Sequence, residues 1–470
     1  MADERLCWLP ATELAALIRR KKISPVEVVD AILDRAERIN PKLNAFVTLT
    51  DEAARREAKA AERALMKRRA VLGPLHGVPF SVKDLVVTKG VRTTFGTPLY
   101  RDNVPTEDAP MVERMKRAGA IMLGKTNTPT FGWIGATHNL LFGPTRNPWN
   151  LERTPGGSSG GASAAAAAGL GPLHIGTDGG GSIRIPASCA GIFGLKPSYG
   201  RIPAYPPSGA WSLSHIGPMA RTVADAALMM NVCAGPDERD QYSLPAARVD
   251  HLKALRGGVK GLRVAYSDDL GFADAVDPEV RAVSAKAAVA FRELGCHVET
   301  VNPRWPSPRD CWEQTFCGGI ATRMAPYIDR RAEIEPGLYR IIEATLRNPP
   351  TRYVQAWFDR LAWWQHPRAF FETYDLLLTP TIACPPFAIG LDNPSEIAGK
   401  RVEPYAWIPF TFPFNLTGQP AASVPCGFTK DGLPIGLQIV GRRFDDVGVL
   451  RAAAAFERAR PWADRRPPIG

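Results

Sequence analysis

Along the first 70 residues, apolar side chains recur at helical spacing. Val28, Val29, Ile32 and Leu33 share one face, with Ile39 a turn and a half further on, and this predicts a buried helix face. Ser24-Pro25-Val26-Glu27 fits a capping box with proline at the first helical position. The helix is expected to begin there and to stop near Asn40-Pro41. A second helix is predicted from Asp51 to about Arg69, in a stretch rich in Ala, Glu, Lys and Arg. The texture then changes. "LHGVPFSVKDLVV" (75–87) reads as a short apolar strand bounded by Gly and Pro, with one lysine, Lys83, inside it. "GAIMLGKTN" (119–127), "LRVAYSDDLG" (262–271) and "TYDLLLTPT" (373–381) read the same way. Helical patterns at Ala109–Ala118, Val223–Val232 and Pro278–Leu294 alternate with them. Buried strands alternating with helices predict an α/β fold: one large domain with a mixed, largely parallel central sheet covered on both sides. No fixed-period repeat or long polar linker divides the chain. We expect one domain over 1–470, with N-terminal helices at about 10–70 and a core at about 71–235. A variable, partly helical cap at about 300–370, rich in aromatics and arginines, precedes a return to the core over 371–470.

Composition narrows the function classes. Apolar residues make up 45% and charged residues 22% of the 470, an ordinary globular balance that provides a sizeable core. The formal net charge is +11. The basic residues are dispersed in short groups such as RRKK (19–22) and KRR (67–69), which reads as a solvated surface and not a nucleic-acid site. The cysteines at 7, 189, 233, 296, 311, 317, 384 and 426 form no CxxC pair and no Cys/His cluster of zinc spacing. They are expected to be structural thiols in a reducing cytoplasm, with no metal. The start, MADERLCWLP, lacks the basic and apolar regions of a signal peptide. Ala162–Leu173, the longest weakly polar run, is too short and too rich in Ala and Gly to span a bilayer. A soluble cytoplasmic protein is expected.

The chemistry concentrates between Thr154 and Pro186, which holds ten glycines. Serines sit among glycines twice, in Gly156-Gly157-Ser158-Ser159-Gly160-Gly161 and in Thr177-Asp178-Gly179-Gly180-Gly181-Ser182, on either side of an alanine run. Successive glycines let backbone N–H groups converge on an anion. That anion is either a bound phosphate or the oxyanion of a reaction begun by Ser182. A phosphate loop needs a lysine after the glycines, and none follows here. A plain turn also satisfies the glycines. A serine nucleophile needs a base, and the G-x-S-x-G elbow is absent, since Ser182 sits in G-G-S-I-R. His174 lies eight residues before Ser182 in an apolar approach and reads as a packed structural histidine. Lys83, if desolvated, loses its proton more easily and can serve as the base, with Ser158 relaying the proton. As a strand-edge lysine it would instead reach to solvent.

Taken together, these residues resemble the amidase signature family of serine hydrolases. The GGSSGG block, the TDGGGSIRIPA block and the lysine in "GVPFSVKD" match, with spacings of 75 and 24 residues. So do "GKTNTPTFGW" (124–133), "FGPTRNPWN" (142–150), "GLKPSYGRIP" (194–203), "HIGPMARTVADAALMM" (215–230) and "FNLTGQPAASVPCGFTKDGLPIGLQIVG" (414–441). Only about 235–370 matches weakly. The resemblance implies the amidase signature fold, no cofactor and a Ser-cisSer-Lys triad. Ser182 is the implied nucleophile, Ser158 the bridging serine after a cis peptide bond, and Lys83 the terminal base. Backbone N–H groups of Gly179, Gly180, Gly181 and Ser182 are the implied oxyanion hole, and Ser159, Asp178 and Arg184 the supporting network. Thr130 departs from the family, which often has Glu after "TNxP".

Two other readings share some of these features. One is the glutamine-hydrolysing component of a tRNA-dependent amidotransferase. "RIPAYPPSGAWSLSHIGPM" (201–219) departs from its pattern, and this proline- and aromatic-rich loop suits a stand-alone amidase. The other is a non-catalytic anion- or nucleic-acid-binding module, which leaves the Lys83, Ser158 and Ser182 spacings unexplained. The N-terminal membrane segment of fatty-acid amide hydrolases and the extra domain of allophanate hydrolases are not evident. The family's pocket regions supply Trp133, Trp211, Trp312, Phe316, Trp407 and Phe410 here. No arginine or acid stands out for a charged α-carboxylate. The expected substrate is a neutral, apolar small-molecule amide, aryl on at least one side, with carbamates and esters also accepted. The enzyme is expected to be a monomer or homodimer with no nucleic-acid or membrane partner.

Overall fold

The computed structural model describes residues 3–69 and 71–469. The expected limits at 1, 70 and 470 fall on residues outside that range. The strands are β1 Phe46–Leu49, β2 Pro79–Lys83, β3 Ile121–Thr126, β4 Leu173–Asp178, β5 Phe193–Lys196, β6 His215–Ala220 and β7 Arg263–Tyr266. They continue with β8 His297–Thr300, β9 Leu376–Pro380, β10 Glu396–Ile397, β11 Lys400–Arg401, β12 Ala421–Phe428 and β13 Pro434–Gly441. Eleven of them form one mixed sheet in the order β1-β3-β2-β4-β6-β5-β12-β13-β9-β7-β8, and β10 pairs with β11 apart from it. Parallel pairing is concentrated in two blocks, β3-β2-β4 and β9-β7-β8. The pairings between and beyond these blocks are antiparallel. Only β5-β6 and β12-β13 among these join successive strands, where the chain returns without a crossover helix.

The strand and helix patterns of the sequence reappear with small shifts at their ends. Ser24 caps the helix Pro25–Leu43 as a capping box. That helix runs past Pro41, the expected stop, and ends with Asn44 in a left-handed conformation. Proline in the last turn removes one N–H without interrupting the chain above it, so little is lost there. The next helix ends at Met66 and not at Arg69. In 309–373 the chain forms the helices Arg309–Met324, Pro336–Leu346, Pro350–Trp363 and Gln365–Thr373. Their buried aromatics join those of the segment 405–414 in one apolar cluster that includes Trp312, Trp363, Trp407 and Phe412.

The alanine run is the helix Gly160–Ala167, buried at every position. It passes so close to the end of β3 that a Cβ on Gly161 would lie 2.3 Å from the Asn127 backbone nitrogen. Small side chains are therefore what this layer admits, and the loop before the helix is drawn against the sheet. All eight cysteines are free thiols. Among the described residues no helix is long and apolar enough to cross a membrane.

Candidate active site

The parallel block β3-β2-β4 sets the frame. Its carboxyl ends are Thr126, Lys83 and Asp178, and the crevice beyond such ends is where open α/β sheets receive ligands. Lys83 is fully buried. Its Nζ lies 2.7 Å from Ser158 Oγ and 2.9 Å from Thr177 Oγ1, with no carboxylate in ion-pair range among the described residues. Burial drives its pKa well below that of an ordinary lysine, against the smaller opposing pull of Asp178.

Ser158 lies in the loop before the alanine helix and follows a cis Gly157–Ser158 peptide. Ser182 lies in the second glycine loop. The Ser159 N–H donates to the Ser182 carbonyl at 3.2 Å, which fastens the two loops together. Ser158 and Ser182 line one cavity of about 140 Å³ with Thr177 and Gly179. No hydrogen bond joins the two serine hydroxyls among the described residues. Ser159 Oγ donates to the Thr177 carbonyl at 3.2 Å and faces the Thr177 N–H at 3.3 Å, so it braces the strand that carries the second partner of Lys83.

Asp178 and Arg184 form a fully buried ion pair. Arg184 uses all five of its N–H donors. Two go to the Asp178 carboxylate, at 3.0 and 2.9 Å. The others reach Thr411 O at 2.8 Å, Gln438 Oε1 at 2.7 Å and Asn415 Oδ1 at 2.6 Å. Burial alone would raise the Asp178 pKa, but the charge and hydrogen bonds of Arg184 outweigh it and hold the carboxyl well below the usual range. The same carboxylate accepts the N–H groups of Gly181 at 2.7 Å and Ile183 at 3.2 Å.

That bond corrects one expectation. Gly181, expected among the oxyanion donors, has its N–H committed to Asp178. Among the described residues no acceptor takes the N–H of Gly179, Gly180 or Ser182. The carbonyls flanking them are held. Trp312 Nε1 donates to Gly179 O at 3.0 Å, and Ile185 N donates to Gly181 O at 2.7 Å. In a trans peptide N–H and C=O point oppositely, so these bonds turn the Gly180 and Ser182 N–H groups away from Trp312 and Ile185. Gly181 has φ +133°, and a Cβ there would lie 2.5 Å from Thr411 Oγ1; glycine is required.

The aromatic pocket also differs from expectation. Phe316 lines the cavity beside Ser182. Trp211 lines a neighbouring, larger cavity of about 990 Å³, where its ring stacks on Tyr242 and Trp357. Trp133, Trp407 and Phe410 are packed in the apolar core and do not line the site. The Trp407 ring is held edge-on to Phe387, and its Nε1 donates to Asn393. Trp312 is buried behind the glycine loop, stacked between Phe316 and Phe412. The inner walls come instead from Leu85, Val86, Phe95, Phe131, Ile216 and Ile320. His174 is buried and bonded to Ser81 and Gly171, and burial pushes its pKa down to about 3. At Thr130 the chain finds a carboxylate from elsewhere: its Oγ1 lies 2.6 Å from Glu335 Oε1. The contacts made by Thr177, Trp312, Asn415 and Gln438 are not foreshadowed by the sequence reading. Thr177 opens the TDGGGS block, and Asn415 and Gln438 fall in the segment 414–441 that resembles the family.

The Amidase family model matches residues 27–450. The chain is 43% identical over 473 residues to an acylamidase of Rhodococcus erythropolis, covering 99% of this chain and 98% of that one. It is 39% identical over 491 residues to the A component of the glutamyl-tRNA(Gln) amidotransferase of Moorella thermoacetica, covering 99% of each. Among solved structures, a bacterial aryl acylamidase of the amidase signature family superposes with a TM-score of 0.91 at 37% identity, covering 97% of each chain. A 6-aminohexanoate cyclic dimer hydrolase does so with a TM-score of 0.89 at 31% identity, covering 98% of this chain and 99% of that one. The chain therefore belongs to the amidase signature family. It is an amide-hydrolysing enzyme.

Proposed function

We propose that the enzyme cleaves amides of aryl or other apolar groups through Lys83, Ser158 and Ser182 and an acyl-enzyme. The observation that carries this reading is Lys83. It is a fully buried amine whose Nζ meets two hydroxyls and, among the described residues, no carboxylate. Burial without a paired charge favours the neutral form of such an amine, which presents a lone pair to the Ser158 hydroxyl. Ser158 gives its proton to Lys83 Nζ and takes one from Ser182, whose Oγ attacks the substrate carbonyl. The link between the serines closes as substrate is bound, since catalytic hydrogen bonds tighten in the reacting complex. The N–H groups of Gly180 and Ser182 receive the oxyanion. In other hydrolases one such donor is worth about 3–4 kcal/mol. The proton returns along the same path to the leaving nitrogen, and water then cleaves the acyl-enzyme. Asp178 and Arg184 keep the glycine loop in register. The reaction calls for no metal or cofactor.

The cavity beside Ser182 supports an aryl group. Its volume of about 140 Å³ is close to that of an apolar cavity known to hold benzene, about 150 Å³. Its walls at Leu85, Val86, Phe131, Phe316 and Ile320 are apolar. The donors recognise the carbonyl and not the leaving group, so aryl carbamates and esters are substrates too. The relation to the amidotransferase component above, at 39% identity, favours a second reading, hydrolysis of glutamine for an amidotransferase. The two part on kcat/KM for an anilide, an aryl carbamate and free glutamine. We expect the anilide to exceed glutamine by at least tenfold. Glutamine preferred by tenfold would overturn the aryl-amide reading and establish the second.

A further inference from the structure

We propose that Arg323 determines specificity by binding a carboxylate carried on the aryl ring of the substrate. This rests on the aryl-amide reading and goes beyond it. Arg323 belongs to the helix Arg309–Met324 and lines both the inner and the outer cavity. Its guanidinium carbon lies 4.7 Å from the centre of the Phe131 ring and 5.5 Å from that of Phe95. Those two rings stack on each other at 5.4 Å and also line the inner cavity. A guanidinium held against aromatic faces keeps its plane fixed and its N–H edge open.

That edge is unspent. Arg184 uses five donors on protein acceptors, and Arg239 pairs with Asp237 and Glu113. Among the described residues Arg323 has neither an ion-pair partner nor a hydrogen-bond acceptor. A permanent planar cation with free paired donors is complemented by a planar carboxylate, which it can hold through two parallel bonds. The inner cavity takes about one ring, with Ser182 and Arg323 both in its wall. A ring between them puts the scissile carbonyl at the serine and a ring carboxylate at the arginine. No Asp or Glu lines this inner cavity among the described residues. A zwitterionic α-amino acid would therefore leave its ammonium without a partner, whereas a carboxyaryl amide leaves nothing unpaired. Nothing in the sequence pattern marks Arg323 for this task; its place beside Phe131 does.

The test compares kcat/KM for 4-acetamidobenzoate and 4-nitroacetanilide, whose nitro group has the planar shape of the carboxylate without its charge. A second pair, the monoanilide of terephthalic acid and the anilide of 4-nitrobenzoic acid, puts the ring on the acyl side. Intrinsic reactivity cancels when each ratio is compared between wild type, Arg323→Gln and Arg323→Lys. We expect the carboxylate-to-nitro ratio of at least one pair to fall about tenfold or more in Arg323→Gln. The fall should lie in KM, and Arg323→Lys should keep part of the preference. Ratios within twofold of wild type for both pairs would overturn the proposal. A second measurement does not depend on turnover of aryl amides: benzoate should slow labelling of Ser182 by a fluorophosphonate more than nitrobenzene does, and Arg323→Gln should remove the difference. Equal slowing by both in the wild type would also overturn it. If anilides are not cleaved while benzoate protection still requires Arg323, the aryl-amide reading fails and carboxylate binding by Arg323 stands.

Discussion

Replacing Lys83 by methionine separates the base from the fold. Methionine fills a similar volume but removes the amine that sits 2.7 Å from Ser158 Oγ and 2.9 Å from Thr177 Oγ1. Ser158 then has no acceptor for the proton it must pass on. Positioned acid–base groups contribute about 10²–10⁴ in rate, so the loss corresponds to about 3–5 kcal/mol of barrier at 1.36 kcal/mol per factor of ten. Stability should change little. Two hydrogen bonds are lost, each worth about 1 kcal/mol net. Against this, the wild type bears the cost of taking a lysine amine out of water, which methionine avoids. The sign follows from the lowered pKa: the folded state binds the Lys83 proton less readily than the unfolded state, so this group costs stability below its unfolded pKa and ceases to do so above it. Catalysis needs the neutral amine, so wild-type activity should fall as pH drops through the folded pKa of Lys83. The assay is kcat/KM against pH for 4-nitroacetanilide and 4-nitrophenyl acetate, with thermal unfolding alongside. Lys83→Met should lose the acid limb, keep the fold and suffer more with the anilide, whose amine must be protonated to leave. A variant that keeps more than about a tenth of wild-type anilide activity would refute the reasoning.

Three further outcomes follow from the geometry. Asp178→Asn leaves the Arg184 charge buried without its counter-charge, and should cost about 3–5 kcal/mol in urea unfolding at neutral pH. Because the Asp178 pKa is depressed, its contribution is present above the unfolded value of about 3.9 and is lost as pH falls through the folded value; the gap between wild type and variant should therefore narrow in strong acid, and a loss below about 1 kcal/mol at neutral pH would contradict the pairing. Trp312→Phe keeps the stacked ring but removes the N–H that holds Gly179 O, and should lower kcat about tenfold, a fraction of the roughly 10²–10³ lost when an oxyanion donor is deleted outright; steady-state kinetics with unchanged circular dichroism would check it. Prolonged chelation should leave turnover intact, since no group of three or more His, Cys, Asp or Glu among the described residues could hold a metal; activity lost to the chelator and restored by a metal would contradict the metal-free mechanism.

The core of this fold is readable because its cues are local. Short apolar runs flanked on at least one side by Gly or Pro mark β2, β3, β7 and β9, and Ser24 and Glu27 mark a helix start that the hydrogen bonds repeat. Lys83 stands out as a charge inside an apolar strand. The aromatic pocket is not readable, because a tryptophan in a core and a tryptophan in a pocket satisfy the same sequence pattern. Trp133 and Trp407 are in the core, while the inner wall is built from Leu85, Val86 and Phe131. The donor loop is readable only in outline. Its glycines announce close approach, but which N–H remains free depends on Asp178, Thr411 and Trp312, and the last two come from distant parts of the chain. Pro41 shows the same limit at small scale. A breaker in the last turn costs one hydrogen bond, which the packing of Ile39 and Leu43 into the core outweighs.

The proposed mechanism turns on Ser182, and not Ser158, carrying the acyl group. Incubating the enzyme with a fluorophosphonate, digesting it and mapping the modified peptide by mass spectrometry tests this directly. We expect a single adduct on Ser182, absent from Ser182→Ala. An adduct on Ser158, or labelling undiminished in Ser182→Ala, would contradict it.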